Sequence, residues 1–230
     1  MRSALSWLGR GLAVALLLLL FWQAVIFTQV IWWSRFDPGS TSFMRMRLAE
    51  LRKTDPKAQL KHEWVAYERI SLHLKRAVVA AEDDRFLDHQ GFDWEGIQRA
   101  LERNAERGRL AAGGSTISQQ LAKNLFLSPS RSWLRKGQEA VITLMIEATW
   151  DKRRILEVYL NVAEWGSGVF GAEAAARHYY GRAAASLGPA EAARLAVMLP
   201  NPRLYEQRFG PRLVAHANRV QRRMVHSQVP

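Results

Sequence analysis

The amino-acid sequence predicts a mainly α-helical protein in which one helical domain follows a single transmembrane helix. The first observation is a long apolar run without charge near the start of the chain. The second is that apolar residues elsewhere recur every three to four positions, as on one face of a helix, while strand-like alternation is almost absent. The third is composition: of 230 residues, 48% are hydrophobic and 23% charged, which is typical of a globular chain. This length fits one domain with an appendage.

The apolar run has the length of a membrane span. No charged residue occurs between Gly11 and Ser34, and about 20 apolar residues are enough to cross a bilayer. A cleaved signal peptide is the alternative, but the run is longer than the usual apolar core of such a peptide and no small-x-small cleavage site follows it. We therefore predict an uncleaved transmembrane helix over residues 11–33.

The orientation of this helix follows from the charges that flank it. Residues 1–10 are short and contain Arg2 and Arg10, and short basic segments stay on the cytoplasmic side. Tryptophans at positions 32 and 33 suit the opposite interface, where aromatic residues collect. We expect a single-pass membrane protein whose large domain lies on the side of the membrane away from the cytoplasm.

Residues 34–60 form a membrane-proximal segment in which apolar and basic residues are interspersed, as in a basic amphipathic helix. Such a segment beside a membrane span can lie among lipid headgroups. Equally, it can be a solvated helix whose apolar face packs on the domain, and the sequence does not decide between the two. The residues concerned are Phe36, Phe43, Met44, Met46, Leu48 and Leu51 with Arg45, Arg47, Arg52 and Lys53.

Residues 61–230 carry the pattern of a folded helical domain. A short strand is predicted over Trp64–Tyr67, before a helix that starts near Ser71. Asp93 is a good N-cap for a second helix, which we expect to end near Gly108. A third helix is predicted to begin at Thr116, with a capping box to Gln119. Further helical patterns cover 138–149, 155–160, 173–180 and 189–199. A last amphipathic helix has an apolar face made of Leu213, Ala217, Val220 and Met224. The pattern at 138–149 is apolar nearly all round, which predicts a buried helix.

The charge balance and the residue counts exclude several classes of function. With 33 Lys and Arg against 21 Asp and Glu, the net charge is +12, which favours a polyanionic partner such as nucleic acid, a phosphate-bearing lipid or an anionic membrane. No nucleic-acid-binding motif accompanies the basic residues, so we expect no nucleic acid partner. The absence of cysteine excludes disulfides, Cys-ligated metals and thiol catalysis. A GxGxxG pattern at 166–171 follows no predicted strand and carries no dinucleotide site.

The most unusual polar stretch follows a small, apolar helical run at residues 80–91. Glu82, Asp83 and Asp84 are consecutive acids, with Arg85 and His89 close behind. A carboxylate at the edge of an apolar face tends to have a raised pKa, which suits general acid or base catalysis. The alternative is that the acids are solvated and that Arg85 forms a surface ion pair.

Two further stretches suit a phosphate ligand. At 113–124 a Gly-Gly turn opens a helix, whose free N–H groups attract anions, and Lys123 lies two turns further in. The alternative is a capped helix start without a ligand. Glu139 opens the apolar helix beside Arg135 and Lys136 and needs a partner, which can be a metal, an Arg or the helix's own amides.

Taken together, five stretches resemble glycosyltransferase family 51, the peptidoglycan glycosyltransferases of cell-wall synthesis. They are EDDRFLDHQG (82–91), GGSTISQQLAKN (113–124), RKGQEA (135–140), RRILEVYLN (153–161) and GVFGAEAAARHYYG (168–181). The resemblance is to the monofunctional members, because the SxxK and KTG motifs of the penicillin-binding domain in bifunctional members are missing.

The resemblance implies a lysozyme-like fold and the polymerisation of lipid II into β-1,4-linked glycan, with inversion at the donor sugar and release of undecaprenyl diphosphate. It implies that Glu82 is the general base and that Glu139 assists the diphosphate, through a divalent cation such as Mg²⁺ or Mn²⁺ or through basic neighbours. The resemblance does not by itself require a cofactor. The positions that it assigns to substrate binding are Asp83, Arg85, Phe86, His89, Ser115, Thr116, Gln119, Gln120, Lys123, Asn124, Arg135, Lys136, Glu157 and Asn161.

The expected partners are lipid II, the growing lipid-linked glycan, membrane lipids and other proteins of cell-wall synthesis or division. Two other functions compete with polymerisation. A wall-cleaving lysozyme or lytic transglycosylase also uses a lone Glu in a helical fold, but has no need of a basic cluster for diphosphate. A scaffold that keeps the fold without catalysis is the third hypothesis.

Overall fold

The computed structural model describes residues 2–106, 114–130 and 132–230, in two compact units that meet between Asp37 and Pro38. The first unit is dominated by helix α1 (Arg2–Trp33). Its part from Gly9 to Trp33 spans 25 residues with a mean hydropathy of 2.3, which is long and apolar enough to cross a membrane. This helix fits a single-pass membrane anchor and begins earlier than the predicted span.

The second unit is mainly helical in the part of the chain that the structure describes. Its helices are α2 (Ser42–Leu51), α3 (Leu72–Glu82), α4 (Trp94–Glu106), α5 (Ile117–Phe126), α6 (Trp133–Thr149), α7 (Lys152–Val162), α8 (Ala172–Tyr180), α9 (Pro189–Ala196), α10 (Pro202–Gln207) and α11 (Pro211–Arg223). Two single turns of 3₁₀ helix lie at Tyr67–Arg69 and Ala184–Ser186. Three short strands complete the unit: β1 (Lys61–His62), β2 (Glu164–Gly166) and β3 (Val169–Phe170).

The core forms where the apolar faces of the helices meet. Helix α3 packs on α9 and α11, and α5 packs between α6 and α7. Leu74, Leu121 and Ile142, one from each of α3, α5 and α6, have no exposed surface. Burying an aliphatic side chain of this size contributes roughly 1.5–3 kcal/mol. The C-terminal end of α3 lies beside the start of α5, where Asp83 accepts a hydrogen bond from the backbone N–H of Ile117.

Three predicted helix starts agree closely with the structure, whereas the helix predicted over 138–149 begins earlier, at Trp133. Ser71, Asp93 and Thr116 each accept a hydrogen bond from a backbone N–H three residues later, as N-caps do. Thr116 and Gln119 form the predicted capping box. The predicted helix end near Gly108 and the first glycine of the Gly-Gly turn, Gly113, lie outside the described residues.

Two predictions of local structure were wrong. Residues 64–66 are not a strand, because Val65 exchanges its backbone hydrogen bonds with the side-chain amide of Asn161 (2.9 Å each way) rather than with a neighbouring strand. The observed strand β1 is earlier and pairs in parallel with β3, which also pairs with β2. Helix α6 is buried on one side only: Val141 and Leu144 are 40% and 56% exposed.

Helix α2 packs its apolar face on the domain, which was one of the two interpretations of the 34–60 segment. Met44 is buried, and the ring of Phe43 meets that of Phe170 edge to face, with 6.4 Å between centroids. Arg47 donates to both carboxylate oxygens of Glu164, at 2.8 and 3.0 Å. A bidentate pair of this kind fixes orientation, so α2 is held in register beside β2 and β3.

The turn into α8 requires glycine. Gly171 has φ +85° and ψ 154°, and a Cβ there would lie 2.7 Å from the backbone oxygen of Asn161. We expect Gly171→Ala to lower the free energy of unfolding by roughly 3 kcal/mol, from backbone strain and the overlap with a carbonyl that cannot move. Thermal unfolding of the detergent-solubilised chain measures it.

The matched control is Gly181→Ala. Gly181 also has positive φ (+64°), but a Cβ there meets nothing within 4 Å, so the expected loss is only about 1 kcal/mol. Equal losses at the two positions would contradict the role given to the Asn161 carbonyl.

Candidate active site

Glu82 is the last residue of α3, and its half-buried side chain turns towards α5. Gln120 donates a hydrogen bond from Nε2 to Glu82 Oε2 at 2.8 Å. Burial raises the pKa of Glu82, the neighbouring Asp83 carboxylate adds to the rise, and the Gln120 hydrogen bond and the Lys123 charge act against it. The position also lies at the negative end of the α3 dipole, which disfavours a carboxylate. Glu82 therefore has the raised proton affinity that general base catalysis uses.

Glu82 lines an open cleft of about 350 Å³. The walls come from the end of α3, the start of α4 and the turn before α5. Polar side chains dominate: Asp83, Asp84, Arg85, Asp93, Arg99, Ser115, Thr116 and Arg223. A cleft with many hydrogen-bonding groups and few apolar ones suits a sugar better than a lipid chain.

A buried hydroxyl sets the orientation of Gln120. The Tyr159 hydroxyl donates to Gln120 Oε1 at 2.9 Å, which leaves the amide NH₂ facing Glu82. Burial raises the pKa of Tyr159 well above its ordinary value, and the Glu82 and Asp83 charges act in the same direction. The hydroxyl therefore stays protonated. The pattern at 153–161 contains Tyr159, but the sequence analysis missed its role because nothing local connects it to Gln120.

Asp83 joins two parts of the site and is itself buried. Its Oδ1 accepts from His89 Nε2 at 2.9 Å, and its Oδ2 accepts from the backbone N–H of Ile117 at 3.0 Å. His89 Nδ1 accepts from the backbone N–H of Gly91, which assigns the ring proton to Nε2. Asp83 thus connects the segment around His89 to the start of α5, and both of its carboxylate oxygens are used in these hydrogen bonds.

Thr116 and Gln119 also have structural duties. Besides its part in the capping box, the Thr116 hydroxyl donates to the Gly91 carbonyl at 2.7 Å. Ser115 is exposed, and its hydroxyl lies 3.4 Å from Lys136 Nζ. The turn before α5 therefore presents Ser115 to the cleft, while the hydrogen bonds of Thr116 and Gln119 fix the backbone at the start of α5.

A cluster of three cations surrounds Glu139. Arg135 NH1 donates to Glu139 Oε2 at 2.6 Å, and Lys136 Nζ donates to Oε1. Lys123 has no hydrogen-bond or ion-pair partner among the described residues. Burial lowers the pKa of Lys123, and the Glu139 charge acts against this shift. The charge is thus +2 in sum for Lys123, Arg135, Lys136 and Glu139.

A second cleft of about 180 Å³ lies on the other side of Gln120. Lys123 and Asn124 line it from α5, while Arg47 and Arg203 reach it from α2 and α10. The two arginines were not predicted as site residues, because they come from segments far away in sequence. Glu164 also lines it and pairs with Arg47, and Arg203 pairs with Glu50, so Lys123 is the cation of this cleft that is best placed to meet a phosphate.

The donor set at Glu139 does not fit a divalent cation. Both carboxylate oxygens already bind Arg135 and Lys136, and the residues described hold no group of three His, Asp or Glu side chains that could bind a metal. Hard cations such as Mg²⁺ need several oxygen ligands. Here positive side chains occupy the places that a metal would take.

Three of the predicted substrate contacts, which stay predictions, lie away from both clefts in the structure. Phe86 and Asn161 have no exposed surface: Phe86 packs under Lys152, whose Nζ lies 4.7 Å from the ring centroid, and Asn161 binds Val65. Glu157 accepts from the Tyr67 backbone N–H and from Arg154. All three hold the scaffold and face neither cleft.

Arg85 lies at the rim of the Glu82 cleft, where it pairs with Glu95, Asp93 and Asp88. The sequence analysis left open whether Arg85 forms a surface ion pair or serves the site, and the position fits both.

Comparison with known proteins identifies the family. Residues 48–226 match the family described as Transglycosylase, which is more than three quarters of the chain. The chain belongs to the transglycosylase family. Its mainly helical, lysozyme-like fold confirms the fold class that the sequence predicts.

Relatives match this transglycosylase over its full length. A biosynthetic peptidoglycan transglycosylase of Azoarcus sp. (strain BH72) is 68% identical over 230 residues, with 100% of both chains covered. The protein of the same description from Aromatoleum aromaticum is 67% identical over 230 residues, again with both chains fully covered. One from Janthinobacterium sp. (strain Marseille) is 55% identical over 231 residues, covering 100% of this transglycosylase and 99% of the relative.

The two acceptor oxygens of Asp83 lead to a stability prediction for this transglycosylase. In Asp83→Asn only one acceptor remains for two fixed donors, the His89 Nε2–H and the Ile117 N–H. We expect the free energy of unfolding to fall by about 1–3 kcal/mol, measured by thermal unfolding in detergent.

Asp84→Asn is the matched control, because the Asp84 side chain is 55% exposed and its pair with Arg223 lies at the surface. Its expected loss is below about 1 kcal/mol. A loss at Asp83 no larger than at Asp84 would disprove the joining role of Asp83.

Proposed function

We propose that this chain is a peptidoglycan glycosyltransferase that polymerises lipid II into β-1,4-linked glycan strands and releases undecaprenyl diphosphate. The observation that carries the proposal is Glu82, a carboxylate of raised pKa in an open polar cleft. The cationic cluster begins at Lys123, one turn of α5 after Gln120, and the Lys123 charge acts on the pKa of Glu82. The names of the full-length relatives support the same substrate class.

Glu82 acts as the general base. The acceptor sugar occupies the cleft that Glu82 lines, with its 4-hydroxyl at the carboxylate. Glu82 takes the hydroxyl proton as the oxygen attacks the anomeric carbon of the donor. Gln120 binds Oε2 of Glu82, and Oε1 has no hydrogen-bond donor in the described part of the chain, so Oε1 can accept this proton.

The cationic cluster stabilises the leaving group. As the new C–O bond forms, the bond from the anomeric carbon to the diphosphate oxygen breaks, and its electron pair leaves with the diphosphate. Lys123, Arg135 and Lys136 are suited to this growing negative charge, and such fixed charges act strongly in a partly dry site. The donor's α linkage and the product's β linkage make the step an inversion, which needs only one carboxylate base.

The membrane setting follows from the substrate. Lipid II and the growing strand are both lipid-linked, so an enzyme anchored by α1 meets them at the bilayer. We propose that the catalytic domain lies on the periplasmic side of the inner membrane, with residues 1–10 in the cytoplasm, because the basic flank favours that orientation. Membrane lipids and other cell-wall or division proteins are the expected neighbours.

The first test replaces the base. Glu82→Gln keeps the size and the hydrogen bonding but cannot accept a proton, so we expect polymerisation of labelled lipid II to fall by roughly 10²–10⁴-fold. Detergent-solubilised protein is incubated with lipid II, and the products are separated on a gel.

Glu63→Gln is the control, since Glu63 is an exposed acid that pairs with Arg177 at the surface, and it should polymerise like the wild type. Polymer from Glu82→Gln at the wild-type rate would refute the proposed base. Release of soluble fragments from intact sacculi, without polymer from lipid II, would favour the wall-cleaving alternative.

The second test uses pH. Because burial raises the pKa of Glu82 above 4.5, the base is ionised above this raised pKa and activity is lost as the pH falls through it. Gln120→Leu removes a hydrogen bond that favours the ionised form, so the acidic limb of kcat/KM should move to higher pH.

Gln98→Leu removes an exposed amide on α4, which donates a hydrogen bond to Glu102, and should leave the limb where it is in the wild type. An unchanged limb in Gln120→Leu would show that Glu82 does not set it.

A further inference from the structure

A polar cavity of about 420 Å³, distinct from the cleft at Lys123, adjoins the Glu82 cleft. The two spaces share three wall residues, Asp84, Arg85 and Arg223. A ligand held in the cleft can therefore extend into this adjoining cavity without leaving the surface of the domain. The mechanism above makes no use of it.

The adjoining cavity presents charges of both signs. Asp84 and Asp88 supply carboxylates, and Arg85 and Arg223 supply guanidinium groups. The remaining wall consists of Leu87, His226, Ser227 and Gln228. A neutral sugar needs no such charges, whereas a ligand that bears an amine matches the carboxylates; the two guanidinium groups are already paired, Arg85 with Glu95 and Arg223 with Asp84.

The wall that follows α11 is fixed in place. Met224 and Ser227 are buried, and the Tyr67 hydroxyl donates to the Pro230 carbonyl at 2.6 Å. Arg223 donates to Asp84 at 2.8 Å, and the Ser227 hydroxyl lies 3.4 Å from the same carboxylate. The cavity is thus formed before any ligand arrives, which reduces the ordering cost of binding.

Asp88 differs from Asp84 in being largely free. Its side chain is 62% exposed, and its one ion-pair partner among the residues described is Arg85, at 3.6 Å. This distance exceeds that of a good charged hydrogen bond. Asp88 is therefore the carboxylate that can receive a cation from a ligand.

We infer that the adjoining cavity binds the stem peptide of the acceptor. This inference rests on the proposed function, in which the acceptor's terminal sugar lies at Glu82. The next sugar of that acceptor carries a short peptide with free carboxylates and a side-chain amine, so the peptide leaves the cleft beside Asp84 and Arg85. Asp88 receives the amine, and the Gln228 amide is placed to bind a peptide carbonyl.

The test compares three substrates: lipid II with its peptide, lipid II with the side-chain amine acetylated, and lipid II without a peptide. We expect the wild type to use intact lipid II about two- to fivefold better, in kcat/KM, than the acetylated form, as one exposed charge contact allows. Asp88→Asn should lose this preference, and Gln228→Ala should reduce the preference for peptide-bearing over peptide-free lipid II.

Asp55→Asn, an exposed acid outside both cavities, is the matched control and should keep the wild-type ratios. Equal use of all three substrates by the wild type would overturn the peptide subsite while leaving the proposed function intact. An undiminished preference in Asp88→Asn would overturn the role of Asp88 in the same way. Absence of polymer from every substrate would refute the proposed function and the subsite with it.

Discussion

The candidate site depends on the way that two successive carboxylates tie the end of α3 to the start of α5. Glu82 is bound by Gln120 from the second turn of α5, and Asp83 accepts the N–H of Ile117 at its first residue. One carboxylate therefore holds the helix junction and leaves the other to face the cleft. The adjacent positions in sequence serve different purposes because the chain leaves the helix between them.

Burial of charged groups explains the shifted pKa values of the site. The pKa of Glu82 is raised and that of Lys123 is lowered, in both cases chiefly by desolvation. The two groups also act on each other, because each favours the charged form of its neighbour. Such opposing shifts are common at functional sites, where charge is kept available at the cost of stability. Around Glu139, by contrast, the charges are paired directly.

The predicted site residues fall into two groups that sequence alone does not separate. Gln120, Lys123 and Asn124 face a cleft, and Glu82 faces the cleft beside theirs. Phe86, Gln119, Glu157 and Asn161 support the backbone that carries them. A side-chain amide illustrates the difference: Gln120 donates to Glu82 at the cleft, whereas its neighbour Gln119 closes a capping box.

By itself, the sequence determined the helical class, the long apolar N-terminal helix and several helix starts, because these depend on local spacing of apolar residues and on short-range caps such as Thr116 with Gln119. It also singled out Glu82 and the cations of 123–136 as candidates, because unusual charges stand out beside apolar runs. Tertiary structure alone decided which of these side chains meet. Tyr159 orients Gln120, Asn161 replaces a predicted strand at residues 64–66, and Arg47 and Arg203 line the cleft beside Lys123. Such contacts join segments tens of residues apart, and their geometry arises only when the helices pack, so no local pattern in the chain encodes them.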